Sequence, residues 1–105
     1  MNTHEIALRL AAKLQHSEKI AGVSATYQFH LFDLERVDVG IRIHHGTCEF
    51  VDGVIAKPDV TMILSVGDFK DWLRGESSTC WLFCSGSMRI RGDLSRAMQF
   101  QNLID

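Results

Sequence analysis

The stretch from Gly86 to Ile104 constrains this chain most, because strand, turn and helix signals follow one another there without a gap. Met88 and Ile90 alternate with Arg89 and Arg91, the period of a half-buried strand. Gly92 permits a sharp turn. Asp93 is a good N-cap, since its carboxylate can accept from the free N–H groups of the next turn. Beyond it Leu94, Ala97, Met98 and Ile104 make one apolar stripe with Phe100 at its edge, so a closing helix is predicted. The strand supplies a wall and the helix a lid, an arrangement that points to an enclosed apolar space.

Upstream, residues 3–19 read as a helix. Ile6, Leu10 and Leu14 are four apart with Ala7 and Ala11 beside them, Asn2 with Glu5 resembles a capping box, and Gly22 can end the run. From Ala25 the period changes to two. Tyr27, Phe29 and Leu31 share one face and Thr26, Gln28 and His30 the other; after Asp33–Arg36, Val37, Val39, Ile41 and Ile43 oppose Asp38, Arg42 and His44. These read as an antiparallel hairpin. A third strand is predicted at Thr47–Val51, between the turn signals His45-Gly46 and Asp52-Gly53, and a fourth at Asp59–Ser65 after Pro58. Gly67-Asp68 starts a helix in which Phe69, Trp72 and Leu73 fall at i, i+3 and i+4, with Gly75 as C-cap. Ser77–Cys84 adds a helical turn or two, with a strand over Thr79–Phe83 as the alternative, and Gly86 opens the fifth strand. Gln28, His30, Asp38, Arg42, His44, Arg89 and Arg91 collect on one sheet face. That face is expected to be wet and the other covered by helices, an α+β layout.

A chain of 105 residues is expected to form a single domain, 1–105. Its net charge of −2 leaves no electrostatic footprint for nucleic acid. Cys48, Cys80 and Cys84 are an odd number with no secretory leader ahead of them, which favours free thiols and a cytoplasmic setting. No apolar run approaches the roughly 20 residues of a membrane span. The ending Leu103-Ile104-Asp105 is not a peroxisomal tripeptide.

Catalytic and metal chemistry find little support. His30, His44, His45 and Cys48 lie near predicted strand ends, and His30 with His44 can be cross-strand neighbours, but no zinc-type spacing is present, so no metal is expected. Cys80 and Cys84 read as buried small hydrophobes rather than nucleophiles. Ser85-Gly86-Ser87 is not a nucleophile elbow, and Asp33, Glu35 and Asp38 form no evident acid–base pair. Arg89 and Arg91 read as a solvated strand face. The apolar residues say more. Phe69, Trp72, Leu73, Trp81, Leu82 and Phe83 crowd into fifteen residues, in a chain with two tryptophans, six phenylalanines and four methionines. Such adaptable side chains suit either a core or a cavity for a long apolar guest.

Four stretches carry a family resemblance: Asp59–Phe69, Leu73-Arg74-Gly75, Gly86–Asp93 and Ala97–Leu103. Together they resemble the sterol carrier protein 2 domain, as a bacterial-type single-domain member. The family pattern has an Asp-hydrophobic-Thr strand, a helix starting at an Asp-Phe pair, and Gly-x-hydrophobic-x-Ile-x-Gly-Asp before a last helix. Ser87 departs from it, standing where a lysine is common. The resemblance implies a five-stranded mixed, mostly antiparallel sheet with helices covering one face. It also implies a non-catalytic lipid-binding carrier, without a cofactor, that holds a fatty acid, sterol-like or isoprenoid lipid in an apolar tunnel between sheet and helices. Phe29, Ile41, Ile43, Ile63, Phe69, Trp72, Leu73, Trp81, Phe83, Ile90 and Met98 are the residues expected to line or gate it. The expected partners are a lipid or other apolar small molecule and, transiently, a membrane or partner protein, with no nucleic acid. The alternative is a protein-interaction or accessory module of lipid or quinone biosynthesis whose core is filled by its own side chains.

Overall fold

The computed structural model describes residues 2–105. Five strands, β1 (Ala25–Phe32), β2 (Arg36–His44), β3 (Thr47–Asp52), β4 (Val60–Ser65) and β5 (Arg89–Gly92), form one sheet in the order β3-β2-β1-β4-β5. β1–β2, β2–β3 and β4–β5 are antiparallel, while β4 runs parallel to β1, so the sheet is mixed and mostly antiparallel. Four α-helices accompany it: α1 (Thr3–Gln15), α2 (Val66–Leu73), α3 (Thr79–Cys84) and α4 (Leu94–Ile104). α1 packs on β3 and β2, and α2 and α4 on β1 and β4. The α+β layout and its five strands agree with the sequence reading.

The strands form where apolar residues alternate. Tyr27, Phe29, Leu31, Val39, Ile41, Ile43, Val60, Met62 and Leu64 all turn inward and are fully or nearly fully buried. The helix under α1 ends earlier than predicted. His16 caps it, and Ser17 accepts from the Lys19 N–H at 3.1 Å to start a separate 3₁₀ turn over Glu18–Ile20. A serine that recruits backbone donors competes with helix continuation. Thr79–Cys84 is helical, not extended, while Ser77 and Ser78 stay outside the helix: the Ser78 hydroxyl caps α3 by accepting from the Trp81 N–H at 3.1 Å.

The apolar stripe of α4 is rotated from the one predicted. Ala97, Phe100 and Leu103 are buried, Met98 and Ile104 are half-buried, and Leu94 is exposed. Phe100 takes the deepest place because its ring meets Tyr27 at 4.8 Å and Phe29 at 5.3 Å, edge-on in both cases.

The sequence signature Asp59, Gly92, Asp93 is a structural joint. The Asp59 carboxylate accepts from the Thr26 N–H at 2.7 Å and from its hydroxyl at 3.2 Å, tying the start of β4 to β1. The Asp59 carbonyl accepts from the Asp93 N–H at 3.0 Å. Asp93 in turn caps α4 by accepting from the Ser95 N–H at 3.0 Å, and the Ser95 hydroxyl first, then that N–H, outweigh desolvation and hold its carboxyl below the usual range.

The outer face is only partly wet. Gln28 was expected on the solvent side, yet it is 1% exposed. The chain between β3 and β4 crosses over it. The Ile55 N–H donates to Gln28 Oε1 at 2.6 Å, and Gln28 Nε2 donates to the carbonyls of Val39 at 3.0 Å and Gly53 at 3.1 Å. Ile55 fits over Gly40, where a Cβ would lie 2.4 Å from its Cδ1. Gln28→Leu is expected to cost about 2–4 kcal/mol, since it strands a buried N–H and carbonyl. Urea denaturation measures the loss, and amide exchange at Ile55 should accelerate; a change below about 0.5 kcal/mol would show that the crossing segment does not depend on it.

Candidate functional site

The expected site lies where α2 and α4 meet the inner sheet face. There the rings of Tyr27, Phe29, Phe69, Trp72 and Phe100 form one cluster, with Phe29 5.5 Å from Phe69, 6.1 Å from Trp72 and 5.3 Å from Phe100. Trp72 also lies 5.4 Å from Phe100. All five side chains are 0–1% exposed. Two polar ends are satisfied inside the layer: the Tyr27 hydroxyl donates to Gln99 Oε1 at 3.0 Å, and the Trp72 indole donates to Gln101 Oε1 at 2.9 Å. Burial pushes the Tyr27 phenol up to about 12, so it remains a donor at neutral pH.

Of the eleven residues expected at the site, Phe29, Ile41, Ile43, Phe69 and Trp72 are buried on the inner side of the sheet. Leu73 and Ile90 are partly buried against the core, and Met98 is half-buried on α4. Ile63 is elsewhere. It alternates with the buried Met62 and Leu64, pairs with His30 and Arg89, and lines a groove of about 330 Å³ with Phe32, Gly86, Ser87 and Arg89 on the outer face. Period-two counting from Leu64 places it there. Trp81 and Phe83 also lie outside, 67% and 40% exposed, because α3 buries only Thr79 and Leu82. Trp81 borders a groove of about 640 Å³ with Gly75, Ser78, Gln101 and Asp105.

The groove that combines apolar walls with cations is between α1 and α2. It measures about 440 Å³ and is lined by Ile6, Leu73, Lys70 and Arg74. Arg74 is held by Asp71 at 2.7 Å and Glu76 at 3.7 Å. Among the described residues Lys70 makes no ion pair, which leaves an ammonium at the rim.

Sequence reasoning missed Gln101. Its Oε1 accepts from the Trp72 indole, from the Thr79 N–H at 2.7 Å and from the Thr79 hydroxyl at 2.9 Å, linking α2, α3 and α4. No local pattern marks a glutamine for this; only the approach of three helices creates the need.

The thiols and histidines also differ from expectation. Cys48 is buried, and desolvation followed by the Glu49 charge pushes its thiol up to about 11. Cys80 and Cys84 are exposed, not buried, since both fall on the outward side of α3. His30 lies across from Asp38, not His44, with Nδ1 2.7 Å from Asp38 Oδ1. Desolvation alone would raise that carboxyl, but hydrogen bonds from Arg36 and His30 outweigh it and hold it low. Among the described residues no three His, Cys, Asp or Glu side chains converge as metal ligands.

Compared with known proteins, the sequence matches the SCP-2 sterol transfer family over residues 6–105. The chain belongs to the SCP-2 sterol transfer family. No curated protein sequence matches it. Among solved structures, palmitated SCP2L2 from Aedes aegypti aligns at TM-score 0.79 with 18% identity, covering 99% of this chain and 95% of the other. A ubiquinone synthesis protein, UbiJ-SCP2, aligns at TM-score 0.78 with 15% identity, covering 96% and 90%. A stereoselective inverting sec-alkylsulfatase from Pseudomonas sp. aligns at TM-score 0.87 with 21% identity over 100% of this chain, which is only 16% of that enzyme. At these identities the structures show a shared SCP2 fold. The family supports a lipid-binding domain. No helix among the described residues is long and apolar enough to cross a membrane.

Proposed function

We propose that residues 1–105 form one non-catalytic, cytoplasmic lipid-binding domain that takes a single-chain acid or isoprenoid lipid through the α1–α2 groove. The observation that carries this reading is the pairing of Ile6 and Leu73 walls with the free Lys70 ammonium at the rim. An apolar chain with an anionic head matches both features. The groove's volume of about 440 Å³ lies within the usual range of small-molecule sites. Roughly ten buried methylenes contribute about 8 kcal/mol, enough for micromolar affinity once ordering costs are met. Deeper penetration between sheet and helices would have to part Phe69 and Trp72 from Phe29 and Phe100. α2 is short, and Gly75 at φ 78° ends it, so the helix can shift as a unit. The three free thiols fit a reducing compartment.

A second reading has its own support. The ring cluster fills the interior with the protein's own side chains, as an accessory or interaction module would require, and UbiJ-SCP2 is a ubiquinone synthesis protein of the same fold.

A titration of delipidated protein with a fluorescent fatty acid separates the two. Saturable micromolar binding is expected. Lys70→Glu should weaken it about tenfold, the loss of one charge-assisted contact, while leaving the methyl ester unaffected. No saturable binding of fatty acids, sterols or polyprenyl quinones at tens of micromolar would sink the carrier and leave the interaction module.

A further inference from the structure

α3 carries two cysteines that play no part in the core. Cys80 and Cys84 are both exposed and four residues apart. On a helix that spacing puts both side chains on one face, with Cβ atoms about 5–6 Å apart. Metal–thiolate bonds of about 2.3 Å set the sulfurs of a linear two-thiolate complex about 4–5 Å apart, within reach of two side chains so placed. The stretch Ser77–Met88 contains no charged residue, so it offers no carboxylate oxygen beside the thiols. No third His, Cys, Asp or Glu among the described residues converges with them.

We propose that Cys80 and Cys84 form a two-thiolate site for a soft monovalent d¹⁰ cation of the Cu(I) class. Soft sulfur ligands select Cu(I), whereas a structural zinc site needs four ligands. Cu(I) is satisfied by two. Binding is an exchange without redox change: two S–H bonds break, two Cu–S bonds form, and both protons pass to solvent. The site is independent of the lipid groove, since Cys80 and Cys84 line neither its walls nor its rim. Both thiols must lose their protons to bind the cation. The metal therefore competes with protons, and affinity should rise with pH.

The test is competition for Cu(I) against a chromophoric chelator such as bicinchoninate, on the full chain kept reduced with a phosphine. One Cu(I) per chain is expected, with two protons released. Cys80→Ser and Cys84→Ser should each lower affinity at least 100-fold while thermal unfolding stays unchanged, as both positions are on the surface. Cys48→Ala should bind as wild type does. Retention of affinity in either serine variant, or one Cu(I) shared by two chains, would overturn the proposal. So would about one zinc per chain surviving dialysis, because that needs ligands beyond this pair.

Discussion

Gly92→Val should lower the melting temperature by roughly 15–30 °C. Gly92 sits at φ 93°, where a β-branched residue is strained. A Cβ there would also lie 2.6 Å from the Asp59 carbonyl oxygen and 3.3 Å from the Val60 Cα, both backbone atoms where the chain enters β4. Neither can give way without disturbing β4. The strained conformation costs about 1–3 kcal/mol and the overpacking about 1–3 more. That same carbonyl accepts the Asp93 N–H, so the strain reaches the first turn of α4. Thermal unfolding followed by circular dichroism reads the shift. An unchanged midpoint would mean that β4, β5 and α4 do not depend on this close approach.

Trp72→Ala comes next in size, with an expected cost of about 3–5 kcal/mol. It empties the centre of the ring cluster, where Phe29, Phe69 and Phe100 surround the indole, and leaves Gln101 without one of its three donors. Trp72→Phe should recover most of the packing and none of the hydrogen bond, so it should lie closer to wild type. Guanidinium denaturation of the three proteins gives the ordering. A loss below about 1 kcal/mol for the alanine variant would contradict the filled interior, because an indole bordering open space has few contacts to lose.

The local signals read correctly from the chain share one physical cause. Alternation along β1, β2 and β4 follows from side chains pointing to opposite faces of a strand, and it identified the inner face without knowledge of strand order. The caps at Asn2 and Asp93 depend on bonds spanning two or three residues, as does the turn at Gly92 on its own φ. The Asp59 and Gly-Asp signatures led to the family because a close backbone joint tolerates few residue types.

The candidate site was legible in part. Phe29, Phe69 and Trp72 could be assigned to the inner layer from period and size, although a buried ring and a cavity-lining ring have the same pattern in one dimension. Whether a layer is filled is a question of volume, answered only when rings from β1, α2 and α4 meet. Ile63, one of the residues expected to line the tunnel, follows its own strand's alternation between the buried Met62 and Leu64 and lies on the outer face.

What the sequence by itself determined, then, is the order of elements, the inner face, the caps and the family, because each rests on contacts between near neighbours or on a spacing that backbone geometry enforces. Only the tertiary structure decided that Gln28 is buried under the crossing segment at Ile55, that Gln101 joins three helices, and that Trp81, Cys80 and Cys84 face outward. Burial at those positions depends on which distant segment arrives to cover them, 22 to 29 residues away for Gln101 and its donors, and no local periodicity encodes that arrival.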